Sequence, residues 1–230
     1  MSSWLRDIAD FFFPRSCLAC GKILLHNEDF LCSHCLLEIP RTRYCYRPDN
    51  AMAHLFYGKL PVERCASYFF FIHDSEFRHL IHCIKYRGEK ECGYYMGNLW
   101  VQECMDSGFF DSIDYIVPVP LHPKKLRRRG YNQSEWIAQG ISDATGIPLC
   151  TDALYCHTDR QSQTRKSIYD RWLSTHEAFE EIQGRLPDNC HILLVDDVIT
   201  TGATLLACGQ ALLSNQEKRY ISMAALASVK

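Results

Sequence analysis

The sequence has no long apolar run, no internal repeat and no low-complexity stretch. The first absence excludes a helical membrane span, which needs about 20 consecutive apolar residues. The others exclude a stacked-repeat architecture and a low-complexity chain. An excess of either charge is also missing: 25 Lys and Arg face 27 Asp and Glu, for a net charge of −2. A surface built throughout for nucleic acid or anionic lipid is therefore excluded, and any basic binding site must be local. The chain also shows no secretory signal. Its opening "WLRDIADFFFP" reads as a short amphipathic helix stopped at Pro14, with acids interrupting the apolar residues. Cysteine is plentiful, with thirteen residues, but the number is odd and the spacing is not that of a secreted disulfide framework. These features place the chain in a reducing cytoplasm.

The 47% apolar fraction suffices for a proper core, and 23% charged residues is ordinary for a globular protein. Residues 1–50 read as an N-terminal helix and a small cysteine-bearing module, 51–64 as a connector, and 65–230 as an α/β domain. Strands are predicted at 65–72, 115–120, 192–197 and 220–226, and helices at 75–87, 91–107, 134–145 and 202–214. Strands alternating with helices of this length predict a mostly parallel sheet with helices on both faces. Asn132 and Gly146 punctuate the third helix. Leu205, Cys208, Gly209, Leu212 and Leu213 give the fourth an apolar stripe.

That last helix follows "ILLVDDVITTGA", which puts Asp196 and Asp197 at a strand tip and Thr200, Thr201, Gly202, Ala203 and Thr204 at a helix start. In an open α/β sheet this carboxyl-end crevice is where ligands bind. Unpaired amides at a helix start favour an anion, threonine hydroxyls add donors, and glycine admits a close approach. Carboxylates accept hydrogen bonds from vicinal sugar hydroxyls. Together the two features describe a site for a ribose 5-phosphate. The competing reading makes the acids a helix cap and the small residues a tight turn.

"VPVPLHPKKLRRRGYNQSE", residues 117–135, reads as a Pro-rich loop carrying Lys124, Lys125, Arg127, Arg128 and Arg129, with Gln133 beyond. Such a run suits pyrophosphate or a nucleic-acid backbone, or is simply a solvated charged face. Tyr131 reads equally as a stacking ring or a core aromatic. "DRQSQTRKSIYDRW", with Gln163, Arg165 and Arg171, suits a lid over a leaving group or an ordinary surface loop. Cys17–Cys20 and Cys32–Cys35 form two CxxC pairs eleven residues apart. Four thiolates in two knuckles suit one structural zinc ion with no open position; redox or disulfide pairing is the alternative.

In this order the motifs resemble the ComF/GntX family: the amino-terminal cysteine module, "IKYRGEKE", "VPVPLHPKKLRRRGYNQSE", "SQTRKSIYDRW" and "LLVDDVITTGATL". The last is also similar to the phosphoribosyl pyrophosphate (PRPP) signature of type I phosphoribosyltransferases. The resemblance implies that fold, a zinc module, and a link to DNA uptake or the use of external DNA. It implies that Asp196 and Asp197 hold the ribose hydroxyls and help anchor Mg²⁺, that Thr200 to Thr204 hold the 5-phosphate, and that Arg129 and Gln133 belong to an Arg-Gly-aromatic-Asn-Gln motif. Many members carry a further cysteine pair where this chain has only Cys45, and an Asn where it has Ser174. No acceptor pocket and no general base are legible. Three readings therefore stand: a phosphoribosyltransferase acting on an unnamed acceptor, a non-catalytic competence protein that binds single-stranded DNA and works with uptake helicase machinery, and a sensor of PRPP or a nucleotide.

Overall fold

The computed structural model describes residues 14–158, 178–214 and 218–229. The amino-terminal helix expected before Pro14 and the expected lid residues Gln163, Arg165 and Arg171 lie outside the described residues. Four strands, β1 (Cys65–Phe71), β2 (Tyr115–Pro118), β5 (His191–Ile199) and β6 (Tyr220–Val229), form an all-parallel sheet in the order β1-β6-β5-β2. A short antiparallel hairpin, β3 (Leu154–Cys156) with β4 (Phe179–Glu181), stands apart from it, and α1 (Ser33–Glu38) belongs to the cysteine-bearing module.

Why the sheet is parallel and central is clear from β5. Ile192 and Leu194 join one apolar cluster and Leu193 and Val195 the other, so both faces are covered and the strand reads as an unbroken apolar run. On one face lie α3 (Phe77–Tyr86), α4 (Lys90–Cys104) and α6 (Gln133–Thr145), around Trp100, Met96 and Ile137. On the other lie α2 (Ala51–His54), α7 (Ala203–Leu213) and the hairpin, around Phe56, Leu205, Leu212 and Phe179. The expected stripe on α7 is buried at Leu205, Cys208, Gly209 and Leu212.

Helices α4 and α6 meet backbone to backbone. A Cβ on Gly97 would stand 2.3 Å from the Ile137 carbonyl oxygen, and one on Gly140 would stand 2.1 Å from that of Tyr94. No side chain fits at either position. Both sheet edges are covered by extended chain. Along β1, Phe70 N–H donates to Pro40 O and Thr42 N–H to Tyr68 O; along β2, Ile116 N–H donates to Pro148 O and Cys150 N–H to Ile116 O. Arg219, fully buried, pairs with Glu181 at 2.5 Å and donates to the Leu212, Leu186 and Pro187 carbonyls, fastening β4 to the start of β6.

The basic segment departs from the expected loop. Residues Pro123–Arg129 form a helix, α5. The sequence contains the reasons: His122 caps it by accepting from Lys124 N–H, Pro123 takes the first turn, and Gly130 (φ 85°) ends it, its N–H donating to Leu126 O. Arginines in the last turn also face the negative end of the helix dipole. Winding the run into a helix splits the cations: Lys125 and Arg129 are half-buried, while Lys124, Arg127 and Arg128 are exposed.

Candidate functional site

The carboxyl ends of β2 and β5, the start of α6 and the hairpin enclose a cleft of about 340 Å³. Asp196, Asp197, Thr200, Thr204, Lys125 and Gln133, all expected site residues, line it together. A smaller recess of about 70 Å³ continues from Asp196 into the turn Thr200–Thr204. Lys124, Arg127, Arg128 and Arg129 are not among the residues lining the cleft.

The two acids differ. Asp196 is half-buried and accepts from Ser134 Oγ at 3.1 Å and from the Asp197 amide at 2.8 Å. Burial, reinforced by the neighbouring Asp197 charge, pushes its carboxyl up to about 7, against the opposing pull of the Asp197 amide, Lys85 and Ser134. Asp197 is buried; its Oδ1 accepts from Val198 N–H at 2.6 Å and pairs with Lys85 Nζ at 3.0 Å. Its Oδ2 is buried without a hydrogen-bond partner. A carboxylate oxygen in that position normally has a donor or cation against it.

Gly202 also serves the fold itself. At φ 73° it starts α7, and a Cβ there would lie 3.1 Å from Phe56 Cζ. Glycine is needed for the left-handed turn and for packing on Phe56. Thr200 and Thr201 stay exposed above it, so the packing does not close the recess.

Arg129 does not line the cleft but contacts a residue that does. Its Nη1 donates to Gln133 Oε1, and its guanidinium lies 5.1 Å from the centre of the Tyr86 ring. Tyr131 donates its hydroxyl to the Ile84 carbonyl, so the ring Arg129 stacks on is Tyr86. Asn132 caps α6 by accepting from Ser134 N–H and donates to Val119 O, which fixes Gln133 and Ser134 at the cleft wall. Lys85, Ser134 and the hairpin residues Cys156 and Phe179 line the cleft without having been singled out in the sequence. Lys85 lies within "IKYRGEKE", but its partner is more than 100 residues away and no local spacing announces it.

Nearer the amino terminus, the Cys17, Cys20, Cys32 and Cys35 sulfurs lie within 4.8 Å of one another. The Cys20 and Cys32 sulfurs are 3.7 Å apart, close to the roughly 3.8 Å edge of a tetrahedron with Zn–S bonds of about 2.3 Å. Gly21 (φ 74°) closes the first knuckle, donating its N–H to Cys17 O. Burial raises the Cys17 thiol, but the Cys20, Cys32 and Ala19 amides outweigh it and bring it to about 7. Burial and the other sulfurs push Cys35 up. This all-sulfur donor set fits one structural zinc ion. Cys45 lies outside it, and the neighbouring Cys104 thiol holds its own thiol below the ordinary value.

The chain is similar to several named proteins. DNA utilization protein YhgH of Escherichia coli K12 is 30% identical over 151 residues, 59% of this chain and 60% of that protein. The Salmonella typhimurium protein of that name is 26% identical over 217 residues, 88% of this chain and 92% of its own. Competence protein ComFC of Bacillus subtilis is 29% identical over 107 residues, 46% and 41% of the two chains. The chain is thus similar, at modest identity, to proteins named for competence and for DNA utilization. No protein-family model matches it. The E. coli match spans about 60% of that relative's length. Among the described residues, no helix is long and apolar enough to cross a membrane.

Proposed function

We propose that the cleft binds PRPP as its Mg²⁺ complex, and that the chain is a phosphoribosyltransferase-like protein serving DNA uptake or the use of external DNA. The observation that supports this reading most is Asp197 Oδ2, buried and without a partner on the wall of a cleft that continues into a threonine-lined turn. In this reading Asp196 and Asp197 take the ribose hydroxyls and Mg²⁺, and Thr200 to Thr204 take the 5-phosphate. Lys125 and Gln133 face the pyrophosphate, and Arg129 acts by holding Gln133. The ligand's phosphate charge would be met by Lys85, Lys125 and the start of α7. Transfer would need no protein nucleophile: the bond from the anomeric carbon to pyrophosphate breaks as an acceptor attacks that carbon.

Calorimetric titration with PRPP in Mg²⁺ tests the reading. Saturable binding is expected, weakened at least about tenfold by Asp197→Asn, since a charge-bearing ligand contact is worth about 1.5–3 kcal/mol. Equal affinity of the variant refutes the assignment. Pyrophosphate release in the same mixtures, with ammonia or a nucleobase added, separates a transferase from a sensor. A second reading, single-stranded DNA binding, is favoured by the exposure of Lys124, Arg127 and Arg128 on α5, outside the cleft.

A further inference from the structure

Helix α3 touches both of the centres described above. Near its start, the Glu76 carboxylate lies 3.9 Å from Cys35 Sγ, and His79 Nδ1 lies 2.7 Å from the carbonyl oxygen of Leu18, inside the first cysteine knuckle. In its last turn, Ile84 O receives the Tyr131 hydroxyl and Lys85 Nζ meets Asp197 Oδ1 at 3.0 Å. The nine residue steps from Glu76 to Lys85 span about 14 Å at the helical rise. The inner face of α3 is packed through buried Phe77, Leu80, Ile81 and Ile84, so one continuous helix joins the two ends.

The side chain of Lys85 is three-quarters buried, against an Asp197 side chain almost wholly buried. A flexible lysine tip pays side-chain entropy to stay there, and it sits where a cation bound to the acid pair would feel it most strongly. We infer that Lys85 is the resident counter-cation of Asp197, displaced when a divalent cation enters, and that α3 holds it in place from the cysteine centre through His79. This rests on the cation reading of the acid pair given above. It adds that the cysteine module is a positioning element for the cleft, and it explains why a lysine lines a site built to receive a cation: the carboxylate is neutralised until the ligand complex arrives, after which the released ammonium is free to turn to phosphate oxygens.

The test uses the full zinc-loaded chain and Mn²⁺ as the probe, with bound and free ion distinguished by paramagnetic resonance and zinc content measured for every protein. Lys85→Met is expected to raise Mn²⁺ affinity about tenfold, because a like charge beside the site is removed, and to weaken binding of PRPP, whose phosphates lose a cation. His79→Ala is expected to raise Mn²⁺ affinity by a smaller factor, about threefold, with zinc content unchanged and with His79→Gln restoring the wild-type value. In the Lys85→Met background, His79→Ala should add nothing, since its effect passes through the ammonium. Mn²⁺ affinity that is unchanged or lowered in Lys85→Met overturns the resident-cation role. A His79→Ala effect that is absent, or of the same size with and without Lys85, overturns the link through α3. Failure of all the proteins to bind Mn²⁺ overturns both this inference and the cation reading of the acid pair, whereas binding that ignores Lys85 overturns this inference alone.

Discussion

Replacing Asp196 by Asn should stabilise the ligand-free protein, and by an amount that depends on pH. The carboxyl of Asp196 is raised from 3.8 to about 7 by burial and the adjacent Asp197 charge. A carboxyl whose folded-state value lies above its unfolded one binds more protons folded than unfolded. Stability from this group is therefore full below about pH 4 and falls as pH rises, levelling off above about 7. Each unit of pH in that window costs at most about 1.4 kcal/mol, so between pH 5 and 7 the wild type should lose up to about 3 kcal/mol that Asp196→Asn keeps. For a chain of this size that is roughly 5–10 °C in melting temperature. Melting both proteins from pH 5 to 8.5, zinc-loaded and without added Mg²⁺, isolates the acid-pair effect, because titrating groups remote from Asp196 cancel in the difference and only its neighbours Asp197 and Lys85 respond with it. The gap should widen from pH 5 to about 7 and then stay constant. A gap that is flat across the range, or that narrows as pH rises, would show that Asp196 titrates normally and that the burial argument is wrong.

Other perturbations act elsewhere in the molecule. Gly97→Ala and Gly140→Ala should each cost at least about 2 kcal/mol, since the added methyl meets backbone carbonyl oxygen rather than a yielding side chain; denaturant melts giving less than half that would mean α4 and α6 part easily. Purified protein should carry close to one zinc, measured by elemental analysis, and Cys32→Ser should lower that content and the melting temperature together. If single-stranded DNA binds along α5, changing Lys124, Arg127 and Arg128 to Ser should reduce the slope of log affinity against log salt by about 2, and an unaltered slope in fluorescence anisotropy would remove α5 from the interface.

The parallel sheet was legible because its strands are buried on both faces and its helices carry caps and stripes: Asn132, Gly146 and the α7 stripe all stand where the sequence puts them. The acids, Thr200 and Thr204 were legible because strand tip, turn and helix start are contiguous in the chain. Lys85 was not, because its relation to Asp197 exists only after α3 packs on the sheet. Helix α5 is not legible in the sequence for a local reason: Pro123 reads as a loop marker, whereas after a capping His122 it is a first-turn residue. Arg219 gave no signal at all, since a lone arginine before a strand says nothing of the buried Glu181 it meets. The hairpin strands, three residues each, are too short for any periodicity to declare them.

The strip of chain from Pro40 to Thr42 that runs along β1 has a practical meaning for anyone trimming this protein. A fragment starting at Cys65 would keep every cleft residue but leave the outer row of β1 amides and carbonyls bare beside Phe69, Phe70 and Phe71. Naked strands rich in phenylalanine recruit one another and come out of solution. Expression trials on such a piece would report the chemistry of an exposed hem, and a failed ligand assay on it would say nothing about the cleft.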